Sequence, residues 1–179
     1  MFQVSRDNPA YYLTSVAHNR LPIFRTDEVK QVVTAAFDEA RKSGGIMLFA
    51  YVIMPDHTHL LSDSSREIRD VLRFINGISA RRVINFLKEG GFAQSLAKLR
   101  IAEQADTQKY SVYQHHPNAI RITGEDALLQ KANYIHLNPV RAGLVDHPDD
   151  YLFSSARQWH NRSLENEPLI TDHSQIKWR

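Results

Sequence analysis

The sequence predicts an α+β domain, an antiparallel sheet with helices packed on it. Three observations carry the prediction. Short stretches rich in β-branched and aromatic residues alternate with stretches of helical periodicity, in the order strand, helix, strand, strand, helix, strand, helix. Gly and Pro punctuate the chain at the joins between them. Its 179 residues, 42% of them apolar, suffice for one domain with a real core.

Tyr11 to Ala17 reads as the first strand. Thr26 is an N-cap with Asp27 and Glu28 in the first turn, and Gly44-Gly45 lie past the end of the helix it starts. Val29, Val32, Val33, Ala36, Phe37 and Ala40 line one face of that helix. Ile46 to Ile53 is almost continuously apolar, which predicts a central strand covered on both faces. Pro55 interrupts it, and His57 to Leu61 resumes as a neighbouring strand. Ser64-Ser65 opens a long helix from Arg66 to about Lys88, closed by Gly90-Gly91. Ile68, Val71, Ile75, Ile78 and Phe86 share one face of it, and Arg66, Arg69, Arg73, Arg81 and Lys88 the other. Arg82 falls on the apolar side and calls for a kink at Gly77 or a buried partner.

Residues 92–110 are mixed and polar, a loop or loose helix. Ser111 to Thr123 holds a strand that Pro117 shortens or puts at an edge. Glu125 to Asn138 reads as a helix with Leu128, Leu129, Ala132 and Ile135 inward, broken by Pro139 and Gly143. The expected organisation is one domain over residues 1–160 and a polar, peripheral C-terminal tail over 161–179. This order of elements is that of the ferredoxin-like split β-α-β fold, which hosts many functions and decides none.

Zero cysteines exclude disulfides, thiolate metal sites and cysteine nucleophiles. No secretory signal follows Met1, and no apolar run approaches the roughly 20 residues that span a bilayer. The expected location is cytoplasmic, without a membrane partner. The formal net charge is +2, but residues 66–100 carry +5 against −1 before them and −2 after. That concentration points to a polyanionic partner.

Two segments carry chemistry. Met54-Pro55-Asp56-His57-Thr58-His59-Leu60-Leu61 places two imidazoles two residues apart at the start of a strand. They leave one face with Cα atoms roughly 6.5–7 Å apart, close enough to hold one metal ion. In Tyr134-Ile135-His136-Leu137-Asn138-Pro139-Val140-Arg141-Ala142-Gly143-Leu144-Val145, Tyr134 and Asn138 lie one helical turn apart, with Lys131 a turn before Tyr134. Two neutral imidazoles and an amide oxygen leave open positions on Mg²⁺ or Mn²⁺ for a phosphodiester oxygen. A tyrosine hydroxyl, with pKa near 10, needs help from the cation or a basic neighbour such as Lys131 to act as nucleophile. Read from the residues alone, plainer alternatives stay open. The histidines could be polar residues on an edge strand, Tyr134 an amphipathic surface residue, and Asn138 a helix end. The basic stripe could be a solvated face.

The two segments resemble the signature blocks of the REP-associated tyrosine transposases, relatives of the single-strand insertion-sequence transposases within the HUH endonuclease superfamily. Ala17-His18-Asn19-Arg20 and Asp149-Asp150-Tyr151-Leu152-Phe153-Ser154-Ser155 add to the likeness, which runs over roughly residues 10–160. The resemblance implies that His57, His59 and Asn138 hold the metal. It implies that Tyr134 forms a 5′-phosphotyrosine and releases a 3′-hydroxyl, and that the substrate is single-stranded DNA folded into hairpins. It also implies a helix near the DNA, where Arg66, Arg69, Arg73, Arg81 and Lys88 would meet phosphates. The expected assembly is a monomer or homodimer. Asp56 stands where relatives commonly have asparagine, Thr58 where they have a bulkier apolar residue, and Tyr113-Gln114 where they have Trp-Gln. Phe92 to Lys109 matches no pattern. The competing readings are a domesticated sequence-specific DNA-binding protein with a vestigial site, and a metal-dependent hydrolase that uses water.

Overall fold

Tyr12, Thr14 and Val16 leave one side of a strand, and Tyr11, Leu13 and Ser15 the other. That strand, β1 (Ala10–Val16), sits inside the sheet of the computed structural model, which describes residues 10–63, 66–101, 110–115, 117–165, 167–176 and 178. Residues 1–9, 64–65, 102–109, 116, 166, 177 and 179 lie outside it, and with them part of the segment from Phe92 to Lys109 that matched no pattern. Helix α1 (Asp27–Gly44) starts where the Thr26 hydroxyl accepts from the Val29 N–H, and stops at Gly45 in the left-handed region (φ 63°). Strands β2 (Met47–Ile53) and β3 (His57–Asp63) follow, then helices α2 (Ile68–Glu89) and α3 (Ala93–Leu99). Strand β4 (Asn118–Ile122), helix α4 (Glu125–Arg141) and the short α5 (Ala156–Trp159) complete the elements that matter here.

The sheet order is β2-β3-β1-β4, and every pair is antiparallel. The fold class and the order of the main elements are those expected. Ser15 donates to Asn76 Oδ1 at 2.9 Å, and Phe37 meets Tyr51 edge-on at 6.2 Å, so α1 and α2 cover the same sheet face. Helix α4 covers the opposite face, where Tyr134 meets Tyr12 and His59. The nucleophile candidate and the basic helix are therefore on opposite sides of the sheet.

Several details differ from expectation, each for a physical reason. Strand β2 is an edge strand, not a central one. Its apolar run reflects burial of both faces, and its outer edge is covered by later residues instead of a strand. Ile53 N–H donates to Phe153 O at 2.9 Å, Ser155 N–H to Tyr51 O at 3.0 Å and Thr171 N–H to Leu48 O at 2.7 Å. Arg82 needs neither kink nor buried partner. It reaches across to α1 and pairs with Glu39 at 2.8 Å from the surface. The fully buried stripe of α2 is Val71, Ile75, Ser79, Val83 and Leu87, an unbroken four-residue repeat, which leaves Ile68, Ile78 and Phe86 half-buried at its margins.

Leu129 is exposed, and His136 takes a place inside, because the buried row of α4 is Leu128, Ala132, Ile135, His136 and Pro139. Pro139 does not break α4. It has no N–H to give the Ile135 carbonyl, yet the helix runs on two residues past it to Arg141. Gly143 (φ 67°) ends the helix, with Leu144 N–H donating to Pro139 O and Gly143 N–H to Val140 O, both at 2.9 Å. The strand expected over Ser111 to Thr123 is regular only from Asn118, beyond Pro117.

Candidate active site

Met54, Pro55 and Asp56 turn the chain tightly from β2 into β3, with Met54 N–H donating to His57 O at 2.8 Å. His57 and His59 then leave one face of β3, opposite Val16 and Thr14 of β1. Their ring centroids are 4.8 Å apart. His57 Nδ1 lies 2.6 Å from Asp56 Oδ1, and Arg20 lies 3.5 Å from the other oxygen of that carboxylate. Arg20 and Asn19 both hold φ of 52°, a left-handed pair that turns the chain beside the site.

His59 Nδ1 is 2.9 Å from both the Tyr12 and the Thr14 hydroxyls. An N–H on each Nδ1, donated to these oxygens, leaves the lone pair of each ring on Nε2. Among the described residues neither Nε2 has a hydrogen-bond partner. Burial, with His57 and Lys131 as neighbours, pushes the His59 pKa down to about 3, so this ring stays neutral, as a ligand must. Burial likewise raises Tyr12 to about 12, so its hydroxyl keeps its proton. Thr58, between the histidines, is fully buried on the other face with no partner for its hydroxyl among the described residues.

Helix α4 brings the remaining groups. The Tyr134 ring is 5.7 Å from that of His59 and 6.2 Å from that of Tyr12, and the residue is 39% exposed. Lys131 Nζ stands 4.9 Å from the Tyr12 ring and 5.9 Å from the Tyr134 ring. Asn138 donates from Nδ2 to the Tyr134 carbonyl at 2.8 Å, which orients the amide and leaves Oδ1 as its acceptor. Among the described residues no group of three or more His, Cys, Asp or Glu could hold a metal. A third protein ligand beside the two histidines would therefore be an amide or hydroxyl oxygen, and Asn138 offers one. Neutral nitrogen donors with fixed outer partners and one amide oxygen fit a divalent cation.

Of the basic residues, Arg69, Arg73, Arg81 and Lys88 line a groove of about 1050 Å³ between α2 and residues 110–119. Arg66 is not among them. It precedes α2, donates to the Gly44 carbonyl at 2.6 Å and stacks on Phe74 at 4.9 Å. Arg81 also approaches Glu39 at 3.8 Å.

The structure thus brings His57, His59, Tyr134 and Lys131 together on one sheet face, with Asn138 a turn away. Sequence reasoning missed Tyr12 and Thr14 as holders of His59. Their period-two spacing on β1 was visible, but which strand would lie beside β3 was not. It noted Asp56 only as a departure, whereas the carboxylate fixes His57. Arg141, whose guanidinium stands 5.1 Å from the Tyr134 ring, was also missed.

The family model "Transposase IS200 like" matches residues 5–93, a span that includes both histidines. A solved structure of a REP-associated tyrosine transposase bound to a REP hairpin superposes with a TM-score of 0.62 at 16% identity, covering 99% of this chain and 94% of that one. A protein of Deinococcus radiodurans R1, provisionally described as a transposase, superposes with a TM-score of 0.52 at 19% identity, covering 75% of this chain and 94% of that one. At these identities the likeness is one of fold. No curated protein matches the chain.

Proposed function

The chain belongs to the IS200-like transposase family, and we propose on that basis that it nicks and rejoins single-stranded DNA through Tyr134 and a divalent metal. The observation that carries the reading is the arrangement of His57 and His59. Both Nδ1 atoms are engaged by protein oxygens, and the Tyr134 ring stands 5.7 Å from His59. His57, His59 and the Oδ1 of Asn138 would hold Mg²⁺ or Mn²⁺, which when bound supplies Lewis-acid polarisation of a phosphodiester.

The chain's own groups do the rest. Asp56, Tyr12 and Thr14 hold the imidazoles in place. Lys131, within reach of the Tyr134 ring, favours the negative charge a phenolate carries. Tyr134 Oη attacks phosphorus, the Oη–P bond forms and the bond from phosphorus to the 3′-oxygen breaks. The phenolic proton passes to solvent, and the released oxygen takes one up to become a 3′-hydroxyl. The 5′-phosphate stays on Tyr134, and attack on it by a 3′-hydroxyl rejoins the strand.

Hairpin DNA is the favoured substrate class, because the related transposase was solved with a REP hairpin and because α2 presents a basic groove. Phosphate contacts in that groove would give affinity and not sequence choice.

The test is incubation with single-stranded DNA from the flanks of the chain's own gene plus Mg²⁺ or Mn²⁺, followed by denaturing electrophoresis and peptide mapping. A covalent adduct on the 5′ end of the downstream fragment is expected. Tyr134→Phe, which removes only the hydroxyl oxygen, should bind DNA and form no adduct. His57→Ala with His59→Ala should abolish the metal-dependent reaction. Mapping to Tyr110, Tyr113 or Tyr151 would overturn the assignment. Two free ends would mean a hydrolase, and binding without cleavage a DNA-binding protein only.

A further inference from the structure

Arg141 lies at the end of α4, two turns beyond Tyr134. A cation in the last turn of a helix is favoured by the helix dipole, and that explains the residue type. It does not explain the direction of the side chain. The guanidinium folds back over the Tyr134 ring, 5.1 Å from its centre. Among the described residues it has no carboxylate partner, and the residue is exposed. The four residues Lys131, Tyr134, Asn138 and Arg141, spaced three, four and three apart, form one row along the helix. Tyr134 is thus bracketed by two cations, Lys131 at 5.9 Å and Arg141 at 5.1 Å from its ring. On its remaining side it meets His59 and Tyr12.

We infer that Arg141 is a catalytic residue that seats the scissile phosphate, donating from its planar fork to a non-bridging oxygen as Tyr134 attacks. A phosphodiester carries one negative charge, and the five-coordinate arrangement reached during attack carries more on those oxygens. A guanidinium is always charged and its fork matches two oxygens at once, so it suits this task better than a lysine. At rest the open ring of Tyr134 holds the guanidinium by a cation–π contact, within reach of the substrate and paired with no anion. No oxidant or further reactant enters. The bonds made and broken are those of the attack by Tyr134, and this inference rests on that reading.

The test compares wild type, Arg141→Ala and Arg141→Lys on two oligonucleotides cut at a mapped position. One has an ordinary phosphodiester there and the other a methylphosphonate, which lacks the charged oxygen. On the phosphodiester, Arg141→Ala should slow adduct formation by about 100-fold, with Arg141→Lys recovering part of the rate. On the methylphosphonate, the ratio of wild type to Arg141→Ala should fall towards one, because the charge the arginine meets has been removed. An equal loss on both substrates would make Arg141 a structural residue and overturn the inference. Failure of wild type to form any adduct on Tyr134 would instead sink the underlying reading, and this inference with it. A purely structural role would also lower the melting temperature of Arg141→Ala, which is expected to stay unchanged.

Discussion

Tyr134 and His136 are two residues apart on α4 and face opposite ways. Tyr134 looks out over the site, and His136 is buried with its Nε2 2.9 Å from the Ser155 hydroxyl. The same hydroxyl accepts from the Tyr51 N–H at 2.9 Å, so one serine ties the helix of Tyr134 to β2. Burial, with a smaller push from His160 against an opposing pull from Asp149, lowers the His136 pKa to about 4. An unfolded histidine titrates near 6.5. Between those values the unfolded chain binds a proton that the folded chain refuses. The folded state therefore keeps its full stability above about pH 6.5 and loses it as pH falls towards 4, by about 3 kcal/mol if this group acts alone. His136→Gln removes the titration. In urea unfolding of metal-free protein, the variant should lose about 2–3 kcal/mol less than wild type between pH 7 and pH 4.5. Parallel losses in the two proteins would show that His136 does not set the acid limit.

At the scale of elements, sequence patterning served best where one residue type has one local meaning. Thr26 with Asp27 and Glu28 starts α1, and Gly45 stops it in the left-handed region. The spacing of His57 and His59 placed both on one face of β3, and that of Lys131, Tyr134 and Asn138 placed them on one row of α4. Patterning failed where the answer depended on neighbours distant in the chain. The apolar run of β2 reports buried faces, and nothing in it reveals that a loop at Phe153 and Ser155, instead of a strand, lies along its edge. Arg82 read as misplaced because Glu39 lies 43 residues away. Arg66 read as part of the basic row because the first turn of α2 begins later than its sequence suggests.

The groove beside α2 is on the sheet face away from Tyr134, so a strand bound there would have to pass the edge at β4, where Asn118 to Arg121 are exposed, to reach Tyr134. If Arg69 and Arg73 meet phosphates, replacing both with Ala should weaken all single-stranded DNA about equally. It should also flatten the salt dependence by about 1.4 in log–log slope, roughly 0.7 for each contact. Filter binding or anisotropy across a salt series measures this. An unchanged slope would make the groove a solvated face.

The molecule as a whole closes the β2 edge with residues far along the chain. Trp159 Nε1 donates to the Phe49 carbonyl at 2.7 Å and Thr171 N–H to the Leu48 carbonyl at 2.7 Å. The anchor of this segment is the ion pair between Arg157 and Glu167, both 7% exposed in their side chains. Arg157 also donates to the carbonyls of Asp149, Tyr151 and Leu152, which fixes the loop that follows α4. The polar composition after residue 160 suggested a peripheral tail, but composition does not disclose that one of its glutamates meets a buried arginine. A buried charge stripped of its partner is costly, whereas replacing both partners by apolar residues of similar size costs little. Glu167→Ala should therefore destabilise the fold by about 3 kcal/mol, and Arg157→Met with Glu167→Leu should recover most of that. Because a bare strand edge invites pairing with another chain, Glu167→Ala should also gain a concentration-dependent tendency to associate. Equilibrium unfolding of the two variants, with sedimentation at two concentrations, measures both effects. Equal stability of wild type and Glu167→Ala would show that the segment merely lies on β2 and does not hold it.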